Sequence, residues 1–318
     1  MAYFTPDTIA DNVRKLSHLV VIGGEPAAFE LAQAYHRLGS MVTIVPQDGL
    51  LPGFDPELVA VLLRALREEG IVVRDDAQVA AINPRSQGTG ISLRTAQGED
   101  SLDVSHILVA MGRVPVLDEE LLAALKLRRD SLRPDHLALG PDGRTSARRV
   151  TAVGGTAGIH QHPVAARQAS LLVERLTGLA SGRLDPHAVP RIVNTTPPLA
   201  QIGADGTVSL RAGQTVLRAN LAETDAARAI GEATGMVRLV AGKTGVIAGA
   251  GAVGPGAPEV MALLAIAMGR GLSLTDLARL ALPEASTAAA ILDLAGRHLS
   301  QQPRIGWSRL SGLAVLRR

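Results

Sequence analysis

Residues 18–46 read HLVVIGGEPAAFELAQAYHRLGSMVTIVP, and they contain the main signal for the fold class. HLVVIGG predicts a short buried strand because it is apolar without interruption before two glycines. PAAFELAQAYHRLG places apolar residues at helical spacing and stops at Gly39, so it predicts a helix. MVTIVP predicts a second strand, which completes one strand-helix-strand unit.

The next unit repeats this order. Asp55 and Pro56 open a predicted helix, PELVAVLLRALREEG, which stops at Gly70 before the strand IVVRD. Strands alternating with helices predict an α/β fold with a parallel, doubly wound sheet. Residues 77–103 then predict strands that alternate with turns at 86–90 and 97–98, and SHILVAMGRVP predicts a further buried strand that completes this domain near Pro115.

The second half of the chain has a different pattern. HLALGPDGRTSARRVTAVGG predicts a strand-turn-strand pair, and the amphipathic helix PVAARQASLLVERLTG follows it. Beyond residue 186 the predicted strands are RIVNTTP, LAQIG, MVRLVAG and GVIAGAGAVG. The predicted helices there are APEVMALLAIAMGRG, LTDLARLAL and ASTAAAILDLAGRHL. This is an α+β pattern, and its unusually apolar helices are typical of an interface.

Composition excludes several classes of protein. The 318 residues are 47% hydrophobic, enough for two domains, and the formal net charge of +2 provides no basic field for nucleic acid. The chain has no cysteine, so a disulfide framework, a cysteine-ligated metal and a thiol redox centre are excluded within it. The sequence starts without a signal pattern, and charges and prolines interrupt its later apolar stretch, so we expect a cytoplasmic protein with no membrane span.

Several motifs occur in a fixed order along the chain. They are Val21-Ile22-Gly23-Gly24-Glu25-Pro26-Ala27-Ala28, Leu51-Pro52, Asp55-Pro56-Glu57, Ala110-Met111-Gly112-Arg113-Val114-Pro115, Arg144-Thr145-Ser146, Ala152-Val153-Gly154-Gly155, Thr196-Pro197-Pro198 and Leu274-Thr275-Asp276-Leu277-Ala278. Together they resemble the flavoprotein pyridine nucleotide-disulfide oxidoreductases, the family of dihydrolipoamide dehydrogenase and mercuric reductase.

The resemblance implies a domain division and partners. Residues 1–116 correspond to the family's NAD(P)-binding Rossmann domain, 117–185 to the C-terminal part of its FAD-type domain, and 186–318 to its dimerisation domain. It implies hydride transfer from NAD(P)H through FAD, and a homodimer. The family's FAD fingerprint and redox cysteine pair lie before the point where this chain begins, so we expect a missing parent segment or a flavin-bearing partner chain to supply them.

The cofactor positions depart from the family pattern. The resemblance assigns Gly23, Gly24 and Ala28 to the pyrophosphate turn, with Gly112 and Arg113 at the nicotinamide half. Glu25 stands at the second glycine position, where a side chain blocks the phosphate and a carboxylate repels it. We therefore expect weakened binding of NAD or NADP, and Gly23, Gly24 and Ala28 equally suit a tight turn that has no ligand.

Other family positions have also changed. Pro46 and Gln47 replace the acid that holds the adenine ribose, and the choice between NAD and NADP stays open. Gly155 replaces an aspartate that contacts the flavin in the family, so we do not expect tight FAD binding by this chain alone. Leu282 and Thr287 occupy the places of the family's acid/base histidine and glutamate, with Glu284 nearby, so we assign no catalytic residue.

The remaining polar features are weaker. His160, His162 and His187 lack the ligand spacing of a metal site, so we interpret them as loop histidines. The arginine-rich tail, residues 304–318, is typical of a solvated terminus, and the alternative is that it lies on an anionic membrane surface or on a partner. Two hypotheses remain open. In the first, the chain is part of a flavin-dependent oxidoreductase and is inactive alone. In the second, it is a non-catalytic module that keeps the fold and the homodimer interface.

Overall fold

A computed structural model describes residues 3–85, 88–140, 143–179, 189–203, 213–231, 234–283 and 286–300. The chain divides into two compact units. The first takes in Met1–Pro52 and Leu66–Val189, and the second takes in Gly53–Ala65 and Pro190–Arg318. Glu284, His187 and the arginine-rich tail lie outside the described residues.

The first unit is built on a four-stranded parallel sheet in the order β3-β2-β1-β7. Its strands are β1 (His18–Ile22), β2 (Met41–Val45), β3 (Val72–Val73) and β7 (His106–Val109). The predicted strand-helix-strand order is therefore confirmed.

Two helices follow the first two strands. Helix α1 (Pro26–Arg37) lies against β1 and β2, and its buried Ala28 and Ala32 allow a close approach to the sheet. Gly39, at φ +89°, ends the helix as predicted. Helix α2 (Pro56–Glu69) ends close to α1, because Glu69 accepts hydrogen bonds from Gln33 Nε2 (2.6 Å) and Arg37 Nε (2.6 Å).

A second, antiparallel sheet covers the other face of the parallel sheet. It consists of β4 (Ala77–Pro84), β5 (Thr89–Thr95) and β6 (Gly98–Val104) in that order. Ile91 and Leu93 from this sheet pack with Val20 and Ile22 from the parallel sheet in one core. The α/β fold is thus confirmed, and an antiparallel sheet occupies the face that helices cover in a fully doubly wound domain.

Residues 117–179 of the first unit have little core of their own. They form α3 (Glu119–Leu125), capped by the carboxylate of Asp118, and α4 (His162–Leu176). Among the described residues of this segment, the buried apolar cluster is limited to Leu122, Leu137 and Ala152, and no residue of α4 is buried. This part of the chain therefore covers little apolar surface.

The predicted strand-turn-strand pair before α4 is wrong. In the described residues of this segment, pairing is limited to isolated bridges, Arg129 with Leu137 and Arg144 with Thr151. The backbone forms turns instead, since Gly140 N–H donates to Arg144 O (2.8 Å) and the Thr145 hydroxyl donates to Val150 O (2.9 Å). Such local hydrogen bonds compete with a strand ladder.

The second unit contains a five-stranded antiparallel sheet in the order β10-β11-β12-β9-β8. The strands are β8 (Arg191–Val193), β9 (Leu199–Gly203), β10 (Thr215–Asn220), β11 (Met236–Ala241) and β12 (Ile247–Val253). The helices are α5 (Asp225–Ile230), α6 (Ala257–Gly269), α7 (Leu274–Leu277) and α8 (Ala289–Ser300). Neither β10 nor α5 was predicted from the sequence, and α7 is shorter than the predicted helix LTDLARLAL.

The segment that opens α2 belongs to this second unit. Asp55 Oδ1 accepts the Glu57 N–H (2.9 Å), and Asp55 N–H donates to Gln201 Oε1 (2.7 Å). The Asp55 carboxylate also pairs with the Arg238 guanidinium, and the two residues are only 2% and 3% exposed. Burial lowers the pKa of Arg238. The motif Asp55-Pro56-Glu57 is thus explained by a helix cap and a buried ion pair.

Within the described residues, the helices are all too short or too polar to cross a bilayer.

Candidate nucleotide site

The turn between β1 and α1 needs both of its glycines for packing. A Cβ at Gly23, which has φ +142°, would overlap the carbonyl oxygen of Ala110 just after β7. A Cβ at Gly24 would overlap the carbonyl oxygen of Gly49 in the loop after β2. Because both obstacles are backbone atoms of the protein, these glycines are required whether or not a ligand binds.

Glu25 is the N-cap residue of α1. Its side chain makes no capping hydrogen bond, and its Cγ lies 3.6 Å from the place where a Cβ of Gly112 would be. The Glu25 side chain therefore lies between the N-terminus of α1 and the segment after β7. A dinucleotide pyrophosphate needs this space in the strand-turn-helix motif.

The N-terminus of α1 also offers few donors to an anion. Pro26 occupies the first helical position and has no N–H, and the N–H of buried Ala28 donates to Glu25 O (2.9 Å). Helix N-termini bind phosphate through free N–H groups and a positive dipole end. Here one donor is missing and a carboxylate is present, so the residues do not fit a pyrophosphate.

Neither of the two residues directly after β2, Pro46 and Gln47, is an acid that could hold a ribose. Pro46 is buried, and Gln47 turns its amide oxygen toward β4, where it accepts the Val79 N–H (3.3 Å). Among the described residues, the buried Gln47 Nε2 has no hydrogen-bond partner. Gln47 therefore contacts the antiparallel sheet and does not face a ligand.

Arg113 lies beside an open groove of about 390 Å³. Its Nη2 forms an ion pair with Asp7 Oδ1 at 2.5 Å, and both side chains are mostly exposed. The groove is also lined by Val114, Gly155, Thr156 and His160, so the segment after β7 and the Ala152-Val153-Gly154-Gly155 motif meet here. A Cβ at Gly155 would touch nothing, so this glycine leaves open space where the family has a carboxylate.

The structure brings most of the predicted cofactor residues to neighbouring places. Gly23 approaches Ala110, Glu25 approaches Gly112, and Arg113 shares its groove with Gly155. Ala28 is fully buried under the turn. Two contacts of this region, Gly24 with Gly49 and Arg113 with Asp7, have no signal in the sequence.

The acid/base and histidine positions contain no reactive cluster. Thr287 packs on Gly256, since a Cβ there would lie 2.8 Å from Thr287 Oγ1, and Leu282 is partly exposed. In the part of the chain that the structure describes, which includes His160 and His162, no group of three or more His, Asp or Glu side chains could hold a metal ion.

Comparison with known families agrees with this architecture. The family model described as "Pyridine nucleotide-disulphide oxidoreductase" matches residues 4–169. The model of the same family's dimerisation domain matches residues 189–293. The chain belongs to the pyridine nucleotide-disulphide oxidoreductase family. The expected resemblance is confirmed, together with its Rossmann-like domain and its C-terminal dimerisation domain. Members of this family bind FAD and NAD(P).

Two curated relatives illustrate the similarity. The dihydrolipoyl dehydrogenase of Thermus scotoductus is 30% identical over 288 residues, which are 87% of this chain and 61% of that protein. The mercuric reductase of Streptomyces lividans is 28% identical over 91% of this chain and 61% of that protein. The chain thus spans about three fifths of the length of these relatives.

Solved structures share the fold. LpdA from Mycobacterium tuberculosis matches with a TM-score of 0.82 and 25% identity, over 93% of this chain and 64% of that chain. The HOCl-induced flavoprotein disulfide reductase RclA from Escherichia coli matches with a TM-score of 0.79 at 20% identity, over 92% of this chain and 68% of that chain. The second match supports the fold alone.

Proposed function

We propose that this chain is a degenerate member of its family that keeps the nucleotide-domain fold and a homodimer interface. Alone, it does not bind NAD(P)H or FAD tightly and does not transfer hydride. The observation that carries the proposal is the Glu25 side chain, which lies beside Gly112 at the N-terminus of α1. A carboxylate there opposes the negative charge of a pyrophosphate.

Four further positions support this reading. Gln47 is turned toward Val79, Gly155 offers no carboxylate, and neither Leu282 nor Thr287 can act as an acid or base at neutral pH. In contrast, the glycines needed for packing, Gly23 and Gly24, are retained. Retained packing together with altered ligand positions is the pattern expected when binding is lost and the fold is kept.

A titration tests the proposal. Purified protein is titrated with NADH and NADPH while nicotinamide fluorescence is followed, and an absorbance scan checks for bound flavin. We expect no saturation up to millimolar cofactor for the wild type. Glu25→Gly, which removes both the side chain and its charge, should gain measurable binding, and Glu25→Gln should gain less.

Glu30→Gln is the matched control, because it removes a carboxylate from the body of the same helix. It should behave like the wild type. Saturable micromolar binding by the wild type, or a flavin spectrum in the purified protein, would contradict the proposal and favour an intact oxidoreductase site.

One observation favours a second candidate, in which the chain works with a flavin-bearing partner chain or parent segment. Val173, Leu176 and Leu179, in and just after α4, are 57%, 76% and 80% exposed, and α4 buries no residue. An apolar helix face of this kind is typical of a surface that another element covers. This candidate includes a division into three domains, residues 1–116, 117–185 and 186–318. The missing segment or partner chain would pack on residues 117–185.

The second candidate is tested by purifying the tagged chain from its native cells and measuring flavin absorbance per chain. Stoichiometric flavin that is lost in the double variant Val173→Glu, Leu176→Glu would support it. Flavin-free protein, or flavin that is retained in the double variant, would leave the degenerate homodimer as the better description.

A further inference from the structure

The loop after β2 contains an aspartate followed directly by a glycine. The sequence there is Pro46-Gln47-Asp48-Gly49, and both Asp48 and Gly49 are exposed. The carboxyl carbon of an aspartate side chain can react with the backbone nitrogen of the next residue. Glycine hinders this reaction least, because it has no side chain beside that nitrogen. The Asp48-Gly49 pair is therefore a chemically reactive point of the chain.

Both reacting groups of this pair are available. Within the described residues, the Asp48 carboxylate accepts no hydrogen bond and pairs with no cation, and the Gly49 N–H donates to no acceptor. Gly49 has φ +94°, and a Cβ there would meet no atom within 4 Å. The carboxyl carbon and the amide nitrogen can therefore meet without the loss of a protein hydrogen bond.

The same dipeptide occurs twice more, which provides an internal comparison. The other pairs are Asp142-Gly143 and Asp205-Gly206. Of these four residues, the structure describes Gly143, and its N–H donates to Gly140 O (3.0 Å). The nitrogen of Gly143 must give up this hydrogen bond before it can act as a nucleophile. We therefore expect Asp142-Gly143 to react more slowly than Asp48-Gly49.

The loop that carries Asp48 is packed against the β1–α1 turn. The Gly49 carbonyl oxygen lies so close to Gly24 that a Cβ there would overlap it. Two residues further on, the N–H of the fully buried Leu51 donates to Gly24 O (2.8 Å). Isoaspartate at position 48 would add one methylene to the main chain just before these contacts. A closely packed turn has no free space to absorb the added length.

We propose that Asp48 is a site of spontaneous isoaspartate formation, and that this modification weakens the contact between the loop and the β1–α1 turn. The proposal does not depend on whether the chain binds a nicotinamide cofactor or flavin, because the reacting groups are Asp48 and Gly49 alone.

The reaction needs no other reagent than water. The Gly49 nitrogen attacks Asp48 Cγ and loses its proton, a C–N bond forms, a C–O bond of the carboxyl group breaks, and one water molecule leaves. The product is a cyclic succinimide. Water then opens the ring at either carbonyl, which restores aspartate or gives isoaspartate. The mass of the chain is unchanged, and nothing is oxidised or reduced.

The test is ageing of the purified full chain at neutral pH, followed by proteolysis and mass spectrometry with electron-transfer fragmentation, which locates isoaspartate by its diagnostic fragments. We expect isoaspartate to accumulate at Asp48 about fivefold faster than at Asp142, the factor that corresponds to one hydrogen bond of about 1 kcal/mol. Asp48→Glu keeps the charge but requires a larger ring, so it should abolish the signal at position 48. Asp142→Glu is the matched control and should leave the rate at Asp48 unchanged.

Unfolding and hydrogen exchange test the role of the structure. In urea the Gly143 hydrogen bond is lost, so the rates at Asp48 and Asp142 should agree within about twofold. In folded chains that contain isoaspartate at position 48, the Leu51 amide should exchange its hydrogen at least about fivefold faster, because its bond to Gly24 O is weakened.

Several results would overturn the proposal. One is an absence of isoaspartate at Asp48 in folded protein under conditions that modify the chain in urea. Another is a rate at Asp142 in the folded protein that equals or exceeds the rate at Asp48. A difference between the two positions that persists unchanged in urea would remove the hydrogen-bond argument. Unchanged exchange at Leu51 in the isoaspartyl protein would contradict the effect on the β1–α1 turn.

Discussion

Gly23 shows at the scale of one residue why a fingerprint glycine is not evidence for a ligand. Its Cβ would overlap the Ala110 carbonyl oxygen, and its φ of +142° disfavours other residues. We expect Gly23→Ala to lower the free energy of unfolding by about 2–4 kcal/mol. Urea denaturation measures this.

Gly98→Ala separates the cost of backbone strain from the cost of the steric overlap. Gly98 has a similar φ of +131°, but no atom lies within 4 Å of its added Cβ. The substitution should cost about 1–2 kcal/mol from backbone strain alone. An equal loss for both variants would mean that the contact with Ala110 is unimportant.

Glu57 makes the second unit sensitive to acid. Its carboxylate accepts two hydrogen bonds from Arg218, at 2.6 and 2.7 Å, and these lower its pKa in the folded protein. Because the folded pKa lies below the unfolded one, the stabilisation is complete above the ordinary glutamate pKa of about 4.3 and is lost as the pH falls through the folded value.

Glu57→Gln should therefore destabilise the protein at pH 7 by about 0.5–1 kcal/mol and differ less from the wild type below about pH 4. Stability curves from urea melts between these pH values test this. Glu68→Gln removes an exposed charge from the same helix and should run parallel to the wild type. A Glu57→Gln curve that is also parallel would contradict the assignment to Glu57.

At the scale of elements, one buried ion pair connects the start of α2 to β11. Arg238 and Asp55 are both almost fully buried, whereas the side chain of Arg218, on neighbouring β10, is 48% exposed. Arg238→Ala leaves the Asp55 carboxylate buried without a counter-charge, so we expect a loss of about 3–5 kcal/mol. Arg218→Ala breaks an exposed pair and should cost about 1 kcal/mol or less.

Chemical denaturation of both arginine variants gives the comparison. Similar losses would mean that the Asp55–Arg238 pair is effectively hydrated. The double variant Asp55→Asn, Arg238→Met provides a further check, because removing both charges should recover much of the stability lost in Arg238→Ala.

At the scale of the whole molecule, the dimerisation domain matched over residues 189–293 leads us to predict a homodimer. Ile266, on the apolar helix α6, is 65% exposed and offers a candidate contact. Light scattering after size exclusion should give about twice the 33.0 kDa chain mass. Ile266→Arg should shift the protein toward the monomer, because it places a charge in an apolar interface.

Leu176→Arg, on α4, is the matched control, since it introduces the same charge at an exposed apolar residue of the other unit. It should remain dimeric. A monomeric wild type would contradict the homodimer, and dissociation by Leu176→Arg but not by Ile266→Arg would move the interface to α4.

The order of strands and helices over residues 18–115, with the alternation of β4, β5 and β6, was predictable from the sequence, whereas α3 was not predicted. These follow from hydrophobic period and turn residues, which are local in the chain. The same local signals failed at residues 136–155, where side-chain hydrogen bonds replaced a strand ladder, and at the short β10 and α5.

Only the tertiary structure decided which atoms meet across long sequence separations. It placed Gly49 against Gly24, Gly112 beside Glu25, and Arg238 on Asp55, and it left α4 without a buried residue. Sequence periodicity states which face of an element is apolar but not which element covers it. The physical reason is that packing depends on close contacts between distant segments, which no local pattern encodes.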